Sequence, residues 1–241
     1  MKYHRLLFLL LLCEVINWTA YNWHLLKNRI WILFGEQEIY EMYYIMGDYF
    51  DVGTYLLVLS VISVIAMEYC LKTETIPALV RSSSRRAFLY KRWMTVAAVS
   101  LLYVLIHLAL GYGMGRALFA DIFSQSEQTA RFYAVSTPLL LLFFLRVNVI
   151  YLLMRDVFSK KIYAMAGIVG LALFEYFTGY FVFLQVWMPC RDLELSAAAY
   201  MGSPSGAELM LTMLRQIGLT AIIAIISLKY FERKDVIEDE R

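Results

Sequence analysis

The chain has 241 residues, 61% of them hydrophobic and 17% charged, with a formal net charge of +2. A soluble domain runs closer to half apolar, so the excess reads as surface meant for lipid, and the small net charge leaves no bulk basic field for nucleic acid. The three cysteines and three histidines form neither a C-x-x-C pair nor a metal-ligand spacing, which argues against a zinc site or a disulfide framework.

A helix needs about 20 mostly apolar residues to cross the hydrocarbon core. The first such run is 6–23, interrupted by Glu14. Leu12 precedes Cys13 where a lipoprotein signal needs a small residue, and no small-residue cleavage site follows, so this run reads as a retained anchor. Segment 24–51 mixes Glu36, Glu38, Glu41, Asp48 and Asp51 with Tyr40, Tyr43, Tyr44 and Tyr49. It reads as a solvated loop whose charge also suits a cationic peptide or amine. The second run is 52–71 and the third is 94–114. The third closes on Gly111-Tyr-Gly-Met-Gly115, a cluster expected to end the helix rather than to dimerise it. The fourth run, 132–154, carries Arg146; the fifth, 162–184, carries Glu175. Pro189 and Pro204 bracket short apolar pieces that predict a folded cap, and the sixth run, 209–228, carries Arg215. The expected fold is therefore all-α: one polytopic transmembrane domain, residues 1–241, with six spans and no separate soluble domain.

Lys and Arg give the orientation. Fifteen of the 22 lie in the N-terminus, 72–93, 155–161 and the C-terminal tail, and five lie in 24–51, 115–131 and 185–208. Both ends are expected in the cytoplasm. A charge at mid-bilayer costs roughly 2.5–3.5 kcal/mol on insertion scales, so Glu14, Arg146, Glu175 and Arg215 each need a partner or water. Depths counted at about 1.5 Å per residue suggest two ion pairs, Glu14–Arg146 and Glu175–Arg215. The plainer alternative is that these residues are packing clamps, or that Arg215 snorkels outward.

Segment 72–93, KTETIPALVRSSSRRAFLYKRW, alternates Lys72, Arg81, Arg85, Arg86, Lys91 and Arg92 with Ile76, Leu79, Val80, Phe88 and Leu89. It is an amphipathic basic segment suited to an anionic lipid surface. Its order is Glu68 ending the second run, then Thr75-Ile76, Leu79, Ser82, Arg85 and Lys91. In this it resembles permease (transmembrane) subunits of ATP-binding-cassette transporters of the type-two exporter class. The aromatic-basic-acidic exit Lys229-Tyr-Phe-Glu-Arg-Lys-Asp235 is similar as well. Two features depart: Glu74 stands where relatives often carry glycine, and only five residues precede the first run.

The resemblance implies an amphipathic coupling helix between helices 2 and 3 that docks a nucleotide-binding ATPase subunit through Thr75, Ile76, Leu79, Arg81, Ser84, Arg85, Arg86 and Lys91. It also implies a second permease copy or related permease, and a multi-pass location in a bacterial plasma membrane. No G-x-x-x-x-G-K-[ST] loop is present, so ATP hydrolysis is expected on the partner and no cofactor on this chain. A peptide or amphipathic small molecule is the expected substrate. An ion-coupled transporter, or an immunity or sensory membrane protein without an ATPase, is the alternative. An intramembrane enzyme fits poorly: His107 is the only histidine deep in a run, and no aspartate lies deep in one.

Overall fold

Lipid offers no hydrogen-bond partner to a backbone N–H or C=O, so long apolar runs satisfy their peptide groups within helices. The computed structural model describes residues 2–23, 50–71, 85–118, 127–158, 160–182, 187–200 and 204–233, and every element among them is helical. In chain order these are α1 (Lys2–Tyr21), α2 (Val52–Leu71), α3 (Arg85–Leu118), α4 (Glu127–Val157) and α5 (Lys161–Val182). A 3-10 turn (Pro189–Leu193) then runs into α6 (Glu194–Tyr200), and α7 (Gly206–Arg233) follows. Helices α2, α3, α4, α5 and α7 are each long and apolar enough to cross a bilayer. The chain is a helical membrane protein. α1 has 20 residues but falls outside those five; Lys2, Arg5 and Glu14 dilute its Leu-rich run.

α2 coincides with its expected run, while α3, α4 and α7 overrun theirs at both ends. Internal hydrogen bonds serve a helix in water as well as in lipid, so apolarity marks the span and not the helix end. The glycine cluster does not end α3 as expected. The helix continues to Leu118, and Gly111 and Gly115 are both buried on one face, four residues apart. Pro138 sits inside α4 and removes one backbone donor there.

Contacts between ends set the direction of each helix. Arg155 and Lys161 both reach Glu68, Arg92 meets Asp156, and Phe88 stacks on Phe231 with ring centroids 6.0 Å apart. This gathers the end of α2, the start of α3, the end of α4, the start of α5 and the end of α7 into one basic rim. At the other end Phe50 packs edge-on against Phe132 at 5.1 Å and Tyr112 against Tyr133 at 5.5 Å. Successive spans therefore alternate in direction.

α4 is the hub, touching α2, α3, α5, α6 and α7, whereas α1 leans chiefly on α2 and α3. Leu59, Met67, Tyr103, Phe143, Phe144 and Tyr151 fill the interior. The outer faces of α1, α5 and α7 expose Phe8, Ile16, Phe174, Phe181, Met210 and Ile225, apolar side chains suited to lipid. Two π-helical turns interrupt the regular pattern, Tyr55–Leu59 in α2 and Thr178–Val182 in α5.

Candidate functional site: ion pairs within and around the bundle

A buried charge must be paired or it stays costly, and helix packing decides which partner it meets. The four intramembrane charges do not pair with one another as depth alone suggested; only Arg146 and Glu175 meet. Glu14 of α1 faces His107 of α3, with Nδ1 and Oε2 3.1 Å apart and both side chains 0% exposed. Arg146 of α4 instead donates from Nη2 to Oε2 of Glu175 on α5 at 3.1 Å, with side-chain exposures of 2% and 12%. Arg215 of α7 donates to Asp192 in the turn after α5 at 2.7 Å. The expected Glu14–Arg146 and Glu175–Arg215 pairs are thus both replaced. α1 lies chiefly on α2 and α3, away from Arg146, and the folded segment after α5 brings its own carboxylate to Arg215.

Around Glu14 and His107 the wall is aromatic. Tyr55 and Phe50 meet the imidazole edge-on, with centroids 5.6 and 5.8 Å away, and Trp18 and Tyr103 are fully buried. The π-helical turn holds Tyr55, and Asp51 caps the start of α2 by accepting from the backbone N–H groups of Gly53 and Thr54 at 2.7 and 3.3 Å.

Arg146 lies over the Phe143 ring at 5.6 Å, and its Nε and Nη1 donate to no described protein group. Arg146 and Glu175, with Ser60, Ile168 and Ala172, line a cavity of about 20 Å³, room for roughly one water. Two residues after Arg146 in α4, the Asn148 amide donates to Ser63 Oγ at 3.0 Å and Ser100 Oγ at 2.9 Å, tying α2, α3 and α4. In lipid no hydrophobic force draws apolar helices together, so such bonds and close packing specify the neighbours.

Asp192 anchors the cap. Besides Arg215 it accepts from Gln216 at 2.8 Å and from the Trp187 indole at 2.9 Å, and Arg215 lies over the Trp187 ring at 5.0 Å. The Tyr180 hydroxyl donates to Glu194 at 2.7 Å. The Cys190 thiol donates to the Glu175 carbonyl at 3.6 Å, which brings the turn down to the depth of the Arg146–Glu175 pair. Gly179 permits this approach, because a Cβ there would lie 3.2 Å from Cys190 Sγ. Burial pushes the Cys190 thiol up to about 11, and the Glu175 carboxylate adds to the effect.

At the basic rim Glu68 accepts from Tyr151 at 2.8 Å and pairs with Arg155 at 3.1 Å and with Lys161. Arg92 binds Asp156 through both terminal nitrogens at 3.0 Å and lies over Phe231 at 5.3 Å. Of the expected docking residues, Thr75, Ile76, Leu79, Arg81 and Ser84 lie outside the described residues. Arg85 and Arg86 open α3, and Lys91 is exposed on its second turn. Among the described residues no group of three or more His, Cys, Asp or Glu side chains is placed to hold a metal.

No protein-family model matches this chain, and neither a curated protein nor a solved structure matches it.

Asp192, Asp156, Gln216 and Asn148 are the polar residues that reading the spans passed over. Asn148 and Gln216 carried a signal, an amide inside an apolar run. Asp192 carried none, because one aspartate in a polar connection resembles any solvated residue.

Proposed function

We propose that the chain is the permease subunit of an ATP-driven exporter, crossing the bilayer six times with both termini in the cytoplasm and α1 as the additional span. The observation that supports this reading is the basic rim. Glu68, Arg155 and Lys161 join α2, α4 and α5, and the Arg92–Asp156 pair joins α3 to α4, on both flanks of the basic segment 72–84. A subunit docked on that segment and on Arg85, Arg86 and Lys91 pushes on a braced frame, so movement is passed to the helices instead of being absorbed locally. ATP binds the partner, a second permease copy or related permease completes the pathway, and anionic lipid holds the basic face. A peptide or amphipathic small molecule is the substrate class.

The test is a mild-detergent pull-down of the full chain from its native membrane, with mass spectrometry of what accompanies it. A phosphate-loop ATPase that co-purifies, and is lost in the Arg85→Glu/Arg86→Glu variant, is the expected result. Recovery of an intact oligomer without any ATPase sinks the reading. One observation favours a second reading, an ion-coupled transporter or an immunity or sensory protein acting alone: the Glu14–His107 pair is a titratable pair sealed inside the bundle.

A further inference from the structure

A guanidinium buried in a span stays costly until each of its donors meets an acceptor. Arg146 meets only part of that need. Its Nη2 donates to Glu175 Oε2 at 3.1 Å, while Nε and Nη1 have no acceptor among the described residues. The side chain is 2% exposed, so bulk water does not serve them. The recess that Arg146 lines has a volume of about 20 Å³, the room of one water-sized group. Leu56, Phe143 and Ile168 make its wall apolar, and Glu175 and Ser60 are its other polar members. The Ser60 hydroxyl already donates to the Leu56 carbonyl, so it has only lone pairs to offer.

Charge decides what fits. Arg146 and Glu175 cancel each other, and a ligand with a net charge would bring that charge into the span uncompensated. A neutral group that accepts from the guanidinium and donates to the carboxylate or to Ser60 carries no such cost. A hydroxyl does both and is no larger than water. At the edge of the recess Ile150 and Leu171 are half-buried, which leaves an apolar way out between α4 and α5 into lipid.

We propose that the recess at Arg146, Glu175 and Ser60 is a binding site for a neutral amphiphile, an aliphatic chain ending in a hydroxyl, taken up sideways from the bilayer. The hydroxyl accepts from Arg146 and donates to Glu175 or Ser60, and the chain lies along the apolar wall past Ile150 and Leu171. Each of the three helices around the recess is weakened close to it. α2 has its π-helical turn at Tyr55–Leu59, which includes Leu56, and α5 has one at Thr178–Val182, just beyond Glu175. α4 carries Pro138, with the Ser136 and Thr137 hydroxyls bonded back to the Phe132 and Tyr133 carbonyls at 2.7 Å. Such breaks let a helix bend, and bending here widens the recess to admit the chain.

The site is independent of the ATPase reading, so the pull-down above and the measurement below fail separately. The full chain in lipid nanodiscs is irradiated with octanol bearing a photoreactive diazirine, and separately with the same diazirine chain lacking the hydroxyl. Mass spectrometry gives the alcohol-to-alkane labelling ratio at Leu56, Phe143 and Ile168. Division by the ratio at Phe8, exposed on α1, removes any difference in how the two probes enter the bilayer. A value of about ten is expected, the effect of one hydrogen bond to a charged group. In Arg146→Met/Glu175→Leu, which removes the ion pair as a unit, the value should fall to about one. Excess unlabelled octanol should compete for the wall, whereas octyl sulfate and octyltrimethylammonium, whose charges are permanent, should not. A value near one in the parent, an undiminished value in the double variant, or competition by either charged amphiphile overturns the proposal. If the double variant fails to fold, Ala172→Val decides instead. It fills the recess from α5 and should abolish labelling of Leu56 and Phe143 by the alcohol while Phe8 is labelled as before; undiminished labelling overturns the site.

Discussion

At the basic rim, two carboxylates and three cations from four helices (Glu68 and Asp156 with Arg92, Arg155 and Lys161) pair with one another and leave one positive charge over, each held on a long helix. At the opposite end one carboxylate, Asp192, collects a guanidinium, an amide and an indole to fasten a turn of five residues and a helix of seven. The rim joins elements that backbone bonds and packing already hold, so its charges select register and neighbour. The cap buries Leu193, Ala199 and Tyr200, with Ala199 packed on Val135 and Leu139 of α4, and a single acceptor with several donors ties it to α7 as well. The rim shares its charges among long helices, while in the cap apolar packing seats the short helix and one carboxylate sets its place against α7.

Removing one partner of a buried pair is the strongest way to break this comparison. Asp156→Ala takes from Arg92, which is 3% exposed, its two-nitrogen carboxylate acceptor, and should cost about 3 kcal/mol in thermal unfolding in nanodiscs. Asp156→Ala with Arg92→Met should recover most of that, because the buried charge leaves with its acceptor; equal losses in the single and double variants would show that the rim pair does not act as a unit.

The mid-bundle pair comes next. Glu175→Ala should cost about 3 kcal/mol by leaving Arg146 buried and alone, and Arg146→Met should rescue it. Exchanging Glu175 with Arg215 should rescue nothing, since Arg215 belongs to Asp192. Rescue by that exchange would refute the observed pairing.

The smallest effect belongs to the cap. Asp192→Asn keeps shape and loses charge, and with Arg215 partly exposed it should cost about 1–2 kcal/mol. Its sharper readout is Cys190: alkylation, slow while the turn is seated, should quicken without a comparable change at the exposed Cys13. Unchanged Cys190 reactivity in a folded variant would mean that Asp192 is not the pin.

Much of the fold was legible because it depends on each helix alone. Apolar length marked the spans, and the four charges stood out as costly wherever they lay. Glu14 needed a partner, and the sequence said so; that the partner is His107 depended on α1 settling beside α3. The glycine cluster misled because a glycine ends a helix in water more readily than in a long span, where α3 carries on and buries Gly111 and Gly115.

By itself the sequence determined a helical membrane protein, the positions of its long apolar helices and the list of residues that cannot remain unpaired in lipid. Burial of apolar length and the satisfaction of backbone bonds within each helix are local, so residue order suffices for them. Only the tertiary structure decided who pairs with whom. Partner choice turns on which helix faces meet, and residues as distant as Glu14 and His107, or Arg92 and Asp156, come within 3.1 Å only once α3 and α4 have found their neighbours.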